Sequence, residues 1–430
     1  MKSTKQLLDY IKNSPSPFHV VDTSISILKD AGFKELNLQD NWTLSYNTGY
    51  YINHYGTTLL AFTIGNKVDQ TTSIRMANSH TDQPCFRIKP NPLLLEKGYL
   101  KVNTETYGGV ILNTWLDRPL SLAGKIVLKS ENIFNPTTRL IDFNRPILTI
   151  PNLAIHLNRN VNKGVELNKQ SDMLPLIGMF NDTLNKDDYF INLIANELNI
   201  NSKDIVDFDL YIYLYEDGCT IGINNEFISS PRLDNLTSSI ALLNGIIESK
   251  KNNNNNINII GLFDNEEVGS STKQGADSMV SNILLTKIYD GLRLTQVDMY
   301  SAISRSFCIS MDVAHAFHPN HSAKSDPTNT VTLNNGIVLK IDTTQRYASD
   351  IEALATIQQL CELNNIKYQK YVNRSDAIGG STLGSISSTW LPMKTVDLGV
   401  PMLAMHSARE LIGTEDQKYL NNLSICYFTH

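Results

Sequence analysis

The amino-acid sequence predicts an α/β fold that carries an inserted, mainly β module. Three observations support this prediction. Helical and strand patterns alternate after residue 230, as in the apolar strand pattern over 257–263. Between about 90 and 230 the sequence instead consists of turns and strand patterns, such as 125–129 and 209–214. At 430 residues the chain is long enough for two or three domains.

The elements before the module are predicted to be two helices and a sheet-building region. Apolar residues recur at helical spacing over 5–11, and the prolines of Ser14-Pro15-Ser16-Pro17 interrupt the pattern. A second helix is expected from about residue 20 to residue 32, where a glycine would cap its C-terminus. Short β-rich runs then occupy residues 42–78.

The charge balance excludes one class of partner. The chain has 43 acidic and 37 basic residues, a net charge of −6, so no positive field is available to hold a nucleic-acid backbone. No apolar run approaches the roughly 18 residues that a membrane span requires, and the N-terminal residues are too polar for a signal peptide. We therefore expect a cytoplasmic protein that binds neither nucleic acid nor a membrane.

The five cysteines are scattered without a C-x-x-C spacing, which argues against both a disulfide framework and a thiolate zinc site. The phosphate-loop, dinucleotide-binding, H-E-x-x-H and G-x-S-x-G motifs are absent from the sequence. Any catalytic residues must therefore be distributed along the chain.

Several predicted strands end in residues that could bind a metal ion. His80 follows one strand, and Asp82 could accept the second ring N–H of this histidine and fix its tautomer. Taken alone, the His-Thr-Asp sequence is more typical of a surface turn. Asp234 precedes a helix predicted from residue 238, where a carboxylate is equally typical of a helix N-cap.

The most informative strand end is Asp264-Asn265-Glu266-Glu267, which follows the apolar strand over 257–263. Clustered carboxylates repel one another unless a cation neutralises them, and no Lys or Arg is interspersed among these acids. A metal-binding or acid/base role is therefore favoured over a solvated turn.

Two further apolar runs, over 307–311 and 400–405, also end in candidate ligands. They are followed by Asp312, His315, His318 and His406, the last of which precedes a helix-like segment over 407–410. Each residue alone is more typical of a structural role. However, ligands of open α/β sheets bind outside the carboxyl ends of the strands. The recurrence of such residues at four strand ends predicts that they converge on one metal site.

At these residues the sequence resembles the M18 family of metalloaminopeptidases, the family of aspartyl aminopeptidase and aminopeptidase I. The resemblance runs nearly end to end. It covers Ser14-Pro15-Ser16-Pro17-Phe18-His19, His80-Thr81-Asp82, Trp115-Leu116-Asp117-Arg118, the segment from Ile150 to His156, Arg232-Leu233-Asp234-Asn235, and the segments 263–270, 312–320 and 405–410.

The resemblance implies a catalytic domain of residues 1–90 and 231–430, in which a central mixed sheet is flanked by helices. Residues 91–230 would form an inserted, mainly β dimerisation domain. Each subunit would bind two divalent metal ions, with zinc expected and cobalt or manganese as alternatives. Relatives form dimers that assemble into a homo-dodecamer, so the same assembly is expected for this chain.

The resemblance also implies the roles of the strand-end residues. One metal ion would be held by His80, Asp234 and Asp312, and the other by Asp234, Glu267 and His406. Glu266 would be the general base that takes a proton from the metal-activated water and passes it to the leaving amine. Asp82 would act beside it by orienting His80.

Five further positions match residues that contact the substrate. His315, His318 and Tyr347 match residues that touch the substrate or the tetrahedral oxyanion. His156 matches a residue that the inserted domain presents to the active site of a neighbouring subunit. Lys340 matches a lysine that can pair with an acidic first side chain, and a surface lysine on a strand is the alternative.

The leading hypothesis is a dinuclear-metal aminopeptidase that removes the N-terminal residue of peptides, preferably Asp or Glu. Two departures bear on this preference: the loop over 324–329 lacks histidines of aspartyl-specific relatives, and Ile378 stands where many relatives have Cys. The alternatives are a neutral or hydrophobic preference, a related carboxypeptidase or deacylase, and a catalytically idle shell or cargo-binding homologue. The complete ligand set with a spare carboxylate, Glu266, argues against an idle protein.

Overall fold

The structure is a computed structural model that describes residues 2–179, 186–251 and 255–430. Within these residues, no helix is both long and apolar enough to cross a membrane. The α-helices are α1 (Lys2–Lys12), α2 (Pro17–Asp30), α3 (Lys186–Leu198), α4 (Leu233–Ser249), α5 (Val280–Gly291), α6 (Gln296–Ser304), α7 (Ile351–Leu363), α8 (Leu383–Trp390) and α9 (Thr414–Thr429).

The same residues form β-strands that are numbered in chain order. They are β1 (Lys34–Glu35), β2 (Thr48–His54), β3 (Thr58–Ile64), β4 (Ile74–His80), β5 (Cys85–Glu96), β6 (Tyr99–Tyr107), β7 (Leu120–Leu128), β8 (Thr137–Asp142), β9 (Leu176–Met179), β10 (Ile205–Leu214), β11 (Cys219–Ile221), β12 (Phe227–Ser230), β13 (Ile257–Phe263), β14 (Phe307–Met311), β15 (Ala314–His315), β16 (Ile337–Lys340), β17 (Tyr368–Tyr371), β18 (Lys394–Gly399), β19 (Pro401–Leu403) and β20 (Glu410–Gly413).

The chain divides into two compact units. The first consists of Met1–Asp82, Gly218–Met405 and Glu410–His430, and the second of Gln83–Asp217 and His406–Arg409. The segment 91–230, which the sequence suggests as an inserted domain, covers most of the second unit.

A nine-stranded mixed sheet forms the centre of the first unit, with the strand order β1-β2-β3-β13-β4-β14-β18-β16-β17. The strands β13, β4, β14 and β18 run parallel to one another. The strands β3 and β16 pair antiparallel with β13 and β18. The predicted α/β class with a central mixed sheet is therefore confirmed.

The central strands β13 and β14 are mostly apolar because helices cover both faces of the sheet. Every residue of β13 and β14 is buried. Ile260 of β13 belongs to a core that includes α1, α2, α4, α7 and α9. Ile259, its neighbour on the opposite face, belongs to a second core that includes α5, α6 and α8. A strand enclosed in this way has no solvent face and needs no polar alternation.

Three of the four predicted ligand-bearing strands lie side by side in this sheet. The parallel neighbours β13, β4 and β14 end at the same edge, with Phe263 directly opposite His80. The fourth apolar run, over 400–405, instead contributes β19 to a five-stranded sheet with the order β11-β12-β20-β19-β15. The helix-like interpretation of 407–410 is wrong, because Glu410 begins β20, which pairs with β12 and β19.

The first two helices follow the sequence pattern, and each begins three residues earlier than the pattern indicates. The helix α2 begins at Pro17, three residues before the expected start, with Ser16 in extended backbone at its N-cap. Proline fits the first helical position, because its fixed φ suits the helix and its missing N–H would have no partner there. The proline-rich run is therefore a helix start as well as a break.

The second unit contains a six-stranded antiparallel sheet with the order β8-β7-β10-β5-β6-β9. The predicted strands over 125–129 and 209–214 lie in β7 and β10, and Asp209 is directly opposite Lys125. Helix α3 also belongs to this unit. The mainly β character predicted for the insertion is confirmed.

Candidate metal centre and active site

His80 ends β4 with its two ring nitrogens in different surroundings. The residue is buried, and Nδ1 lies 2.9 Å from the backbone carbonyl oxygen of Asp82. A carbonyl oxygen can only accept, so the neutral ring carries its proton on Nδ1. Nε2 lies 3.2 Å from Oδ1 of Asp234 and 3.6 Å from Oδ1 of Asp312. Burial lowers the pKa of His80, but these carboxylates raise it well above its ordinary value. A metal ion would take the place of the proton on Nε2, because histidine binds metals through the lone pair of its neutral ring.

The fully buried carboxylate of Asp82 holds the acidic turn that follows β13. Its Oδ1 accepts the backbone N–H of Glu266 and its Oδ2 accepts that of Glu267, both at 3.1 Å. Asn265, just before them, adopts a left-handed backbone with φ of 63°, a conformation that Asn tolerates better than most residues. Asp82 therefore fixes where both glutamates leave the main chain.

Asp234 lies at the start of α4, where it is held by residues from distant parts of the chain. Its backbone N–H donates to Oε2 of Glu410 at 3.0 Å. The side-chain amide of the next residue, Asn235, donates to the carbonyl oxygen of Met311 at 2.9 Å. Because Met311 ends β14 and precedes Asp312, this bond ties the start of α4 to the strand that carries another candidate ligand.

These elements bring three ligand-type side chains together. One ligand atom from each of His80, Asp234 and Glu267 lies within 4.8 Å of the others. Asp312 is adjacent, through its contact with the same histidine nitrogen. One imidazole and several carboxylates form a donor set that suits zinc and similar divalent ions. The residues present therefore fit a metal ion.

The electrostatics of the cluster indicate a site that is built for a cation. Burial, reinforced by the charge of Asp234, raises the pKa of Glu267 well above its ordinary value. Burial also raises the pKa of Glu266 to about 8, with Asp312, Asp82 and Asp234 contributing in the same direction. Buried carboxylates this close resist ionisation, and a divalent ion would remove that penalty.

Lys340 is a buried part of this site, so the alternative of a surface lysine is wrong. Its side chain is 2% exposed at the end of β16. Nζ donates to the carbonyl oxygen of Val313 at 2.8 Å and lies 3.5 Å from Oδ2 of Asp312. It also lies 5.2 Å from the centre of the Tyr347 ring. Burial lowers the pKa of Lys340, but Asp312 and Tyr347 outweigh it, so the pKa is raised and the ammonium stays charged.

The predicted substrate-contacting residues of the first unit are more accessible, except for Tyr347. His315 is exposed, with its ring 6.2 Å from that of Tyr371. His318 is half-buried, and its Nδ1 accepts the backbone N–H of Asn320. Tyr347 is 4% exposed. The two histidines thus have the accessibility that contact with a substrate requires.

The remaining two predicted residues belong to the second unit. His406 is half-buried, and its Nδ1 lies 3.1 Å from the carbonyl oxygen of Gly109. A Cβ at Gly109 would stand only 3.0 Å from that nitrogen, so glycine provides the room for the ring. His156 is exposed in a turn between Leu153 and Leu157, which are 55% and 74% exposed.

Sequence reasoning missed Glu410 as a functional residue. The side chain is 3% exposed, and its carboxylate positions Asp234 through the backbone. The signal in the sequence is its place at the end of the motif over 405–410, whose last four residues have a helix-like pattern. The contact depends on β20 pairing with β12, which local sequence does not reveal.

Comparisons with known proteins identify the family to which this chain belongs. A family model described as aminopeptidase I zinc metalloprotease (M18) matches residues 10–428. A probable M18 family aminopeptidase 2 of Clostridium novyi is 48% identical over 420 residues, covering 97% of this chain and 96% of that protein. A structure of the Ape4 and Nbr1 complex superposes with a TM-score of 0.95 at 33% identity, covering 99% of this chain and 85% of that one.

A third similarity concerns the fold alone. A structure described as the S. cerevesiae mApe1 dodecamer superposes with a TM-score of 0.87 at 24% identity, covering 99% of this chain and 96% of that one. Fold, site and similarities together define the chain as a metallo-hydrolase. It belongs to the M18 family of aminopeptidases, which hydrolyse the N-terminal residue of peptides.

Proposed function

We propose that this protein is a dinuclear-metal aminopeptidase that removes N-terminal Asp or Glu from peptides. The observation that carries the proposal is the convergence of His80, Asp234 and Glu267 within 4.8 Å, with Glu266 next in the chain. A hydrolytic metal site requires such a ligand set together with a carboxylate that remains available as a base.

Two ions would share the ligands of the site, with Asp234 between them. One ion would be held by His80, Asp234 and Asp312, and the other by Asp234, Glu267 and His406. Zinc is favoured by the family, and the same ligands also accept cobalt or manganese. Bound ions would supply Lewis-acid chemistry, which activates water and polarises the scissile carbonyl.

The proton transfers would be carried out by Glu266. This carboxylate would take the proton of the attacking water and pass it to the leaving amine. Support comes from the contact of Asp82 with the backbone of both Glu266 and Glu267. That contact would fix the backbone of the base, Glu266, relative to that of the proposed metal ligand, Glu267.

Substrate recognition would involve His315, His318 and Tyr347 around the scissile bond. Lys340 would select an acidic first side chain. In the ion-bound site Asp312 would share its charge with the metal, and the buried ammonium of Lys340 would be left to pair with the substrate. A Leu or Ala side chain would leave that ammonium unpaired, which is costly in a buried site.

Subunits would assemble as dimers into a homo-dodecamer, in which His156 reaches a neighbouring active site. Support comes from the dodecamer described for a structural relative. Leu153 and Leu157, on either side of His156, are exposed. Their exposure also supports the assembly, because exposed apolar patches are typical of surfaces that contact another subunit.

Hydrolysis of a panel of aminoacyl peptides, after reconstitution with zinc, cobalt or manganese in turn, tests the proposal. We expect cleavage of peptides with a free amino terminus, with Asp or Glu preferred, and none of N-acetylated peptides. Cleavage of blocked peptides would instead indicate a carboxypeptidase or deacylase. The absence of cleavage with every ion would indicate a catalytically idle homologue.

Metal analysis tests the bridging role of Asp234. The variant Asp234→Ala is expected to bind fewer than two ions, because it removes negative charge from beside both cations. Two ions per chain in the purified variant would contradict the bridge.

A further inference from the structure

We propose that Asp397 is a positioning residue that holds two loops against strand β18 of the central sheet. One is the Tyr347 loop (residues 341–350), between β16 and α7. The other is the glycine loop (residues 379–382), which leads into α8. The inference rests on the proposed function, because the effect on catalysis passes through the proposed substrate contact of Tyr347.

Each carboxylate oxygen of Asp397 holds a different loop. The residue lies in β18 and is fully buried. Oδ2 accepts the backbone N–H of Ala348 in the Tyr347 loop at 2.5 Å, and Oδ1 accepts the hydroxyl of Thr382 in the glycine loop at 2.6 Å. The backbone N–H of Asp397 also donates to Oγ of Ser349 at 3.0 Å. One side chain therefore fixes both loops to the same strand.

Tyr347 depends on these bonds because its two chain neighbours are both held. Ala348 is bound by Asp397, and the guanidinium of Arg346 donates to the carbonyl oxygen of Gly379 in the glycine loop. The ring of Tyr347 is 4% exposed and lies beside Lys340. Release of either loop from Asp397 would therefore move the ring relative to the site.

The surroundings of Asp397 suit a carboxylate in particular. Two acceptor oxygens without a donor match one N–H and one O–H, whereas an amide would present a donor to one of them. Burial raises the pKa of Asp397, and the cation of Lys340, directly opposite it across the pair of β16 and β18, acts in the opposite direction. A Cβ at Gly384 would collide with both carboxylate oxygens, so glycine leaves the space that they occupy.

The variant Asp397→Asn tests the role with little change in shape. We expect kcat/KM to fall about 10- to 100-fold while metal content stays at the wild-type value, because a buried donor loses its acceptor. The matched control is Asp416→Asn. Asp416 is another fully buried carboxylate that accepts two backbone N–H groups, those of Asn334 and Gly336, and these residues lie outside both loops. The control should keep kcat/KM within about threefold of wild type.

A double-mutant cycle with Tyr347→Phe separates positioning from a general loss of structure. If Asp397 acts through Tyr347, the loss caused by Asp397→Asn shrinks when the Tyr347 hydroxyl is already absent. If the decrease in kcat/KM of the double variant equals the product of the two single decreases, the inference is overturned.

Limited trypsin digestion provides a readout that needs no turnover. Cleavage after the exposed Arg346 should be faster in Asp397→Asn than in wild type and in Asp416→Asn, since the Tyr347 loop is released. Equal cleavage rates in the three proteins would overturn the inference. A wild-type protein without aminopeptidase activity would contradict the proposed function instead, and the digestion would still decide whether Asp397 holds the loops.

Discussion

The ammonium nitrogen of Lys340 lies 3.5 Å from Oδ2 of Asp312, so a buried cation stands beside a proposed metal ligand. The two side chains are 2% and 13% exposed, which leaves little water to screen the pair. A change at Lys340 therefore acts both on the metal site and on the substrate. Its role in specificity has to be measured as a ratio between two substrates, because effects on the metal site cancel in that ratio.

The first prediction concerns Lys340→Met. For the wild-type protein, kcat/KM should be about ten- to a hundredfold higher for peptides with N-terminal Asp or Glu than for peptides with N-terminal Leu. The reason is that a charge-assisted pair is worth roughly 1.5 to 3 kcal/mol. The variant keeps the length of the side chain and loses the cation, so the ratio should shrink or reverse. If the variant keeps the acidic preference, the selector lies elsewhere, and the loop over 325–329 is the next place to examine.

The second prediction concerns Glu266→Gln. Turnover should fall by about two to four orders of magnitude, because the amide keeps the shape of the side chain but cannot accept a proton from water. Metal content should stay close to that of wild type. The matched control is Glu267→Gln, made at the neighbouring proposed ligand, which should lower metal content as well. Activity of Glu266→Gln within about tenfold of wild type would contradict its role as the base.

The third prediction concerns Asp82→Asn. The amide has one acceptor oxygen, so it cannot hold the backbone N–H groups of both Glu266 and Glu267. We expect kcat to fall about 10- to 100-fold and the metal to be lost more readily to a chelator. Asp277→Asn is the control, because this carboxylate lies on the surface and bonds Trp390 and Ser271. Equal kcat and chelator resistance in the two variants would remove the role given to Asp82.

The fourth prediction concerns assembly. Inactive His156→Ala subunits mixed with inactive Glu266→Gln subunits, under conditions that exchange them, should regain part of the activity. A His156→Ala subunit has an intact Glu266, and its site would be completed by the intact His156 of a neighbouring Glu266→Gln subunit. Activity is measured together with native mass spectrometry of the mixed oligomers. Mixed oligomers without recovered activity would place His156 outside the neighbouring site.

The fifth prediction concerns the pH dependence of stability. Burial raises the pKa of Asp416 from 3.8 to about 6 in the folded protein. Because this pKa is raised on folding, the stabilisation from the protonated group is complete below about pH 4 and is lost as the pH rises through 6. Between pH 4.5 and 7.5, wild type should lose about 1 to 3 kcal/mol relative to Asp416→Asn. Thermal unfolding of both proteins at a series of pH values measures this difference. If the free energy of unfolding depends on pH in the same way in the two proteins, the prediction is contradicted.

Some elements of the fold could be predicted because local sequence determines them. The strands β13 and β14 have the predicted bounds, since a strand that is enclosed on both faces is mostly apolar and lacks polar alternation. By contrast, the start of α2 and the conformation of the segment over 407–410 were not predicted correctly. Proline is compatible with both a break and a helix start, and four residues are too few to outweigh the pairing of β20 with two other strands.

The site shows the same division. His80, Asp312 and the acidic turn after β13 could be placed at one edge from the sequence, because three parallel strands bring their carboxyl ends together. The contact of Lys340 with Asp312 depends on β16 running antiparallel to β18, and the contact of Glu410 with Asp234 joins residues 176 positions apart. Such contacts follow from tertiary pairing, which no local pattern reports.

The position of β4 in the sheet has a consequence for biogenesis. Both of its neighbours, β13 and β14, begin at Ile257 and Phe307, long after β4 ends at His80. At about 5 to 20 residues per second, roughly 9 to 35 s of translation separate β4 from its first neighbour. During that interval this strand has two open edges, which are a hazard for aggregation. The proposed metal ligand His80 is therefore synthesised long before the strands β13 and β14 that cover the edges of β4. A chaperone that holds unfolded chains would have its largest effect in that interval.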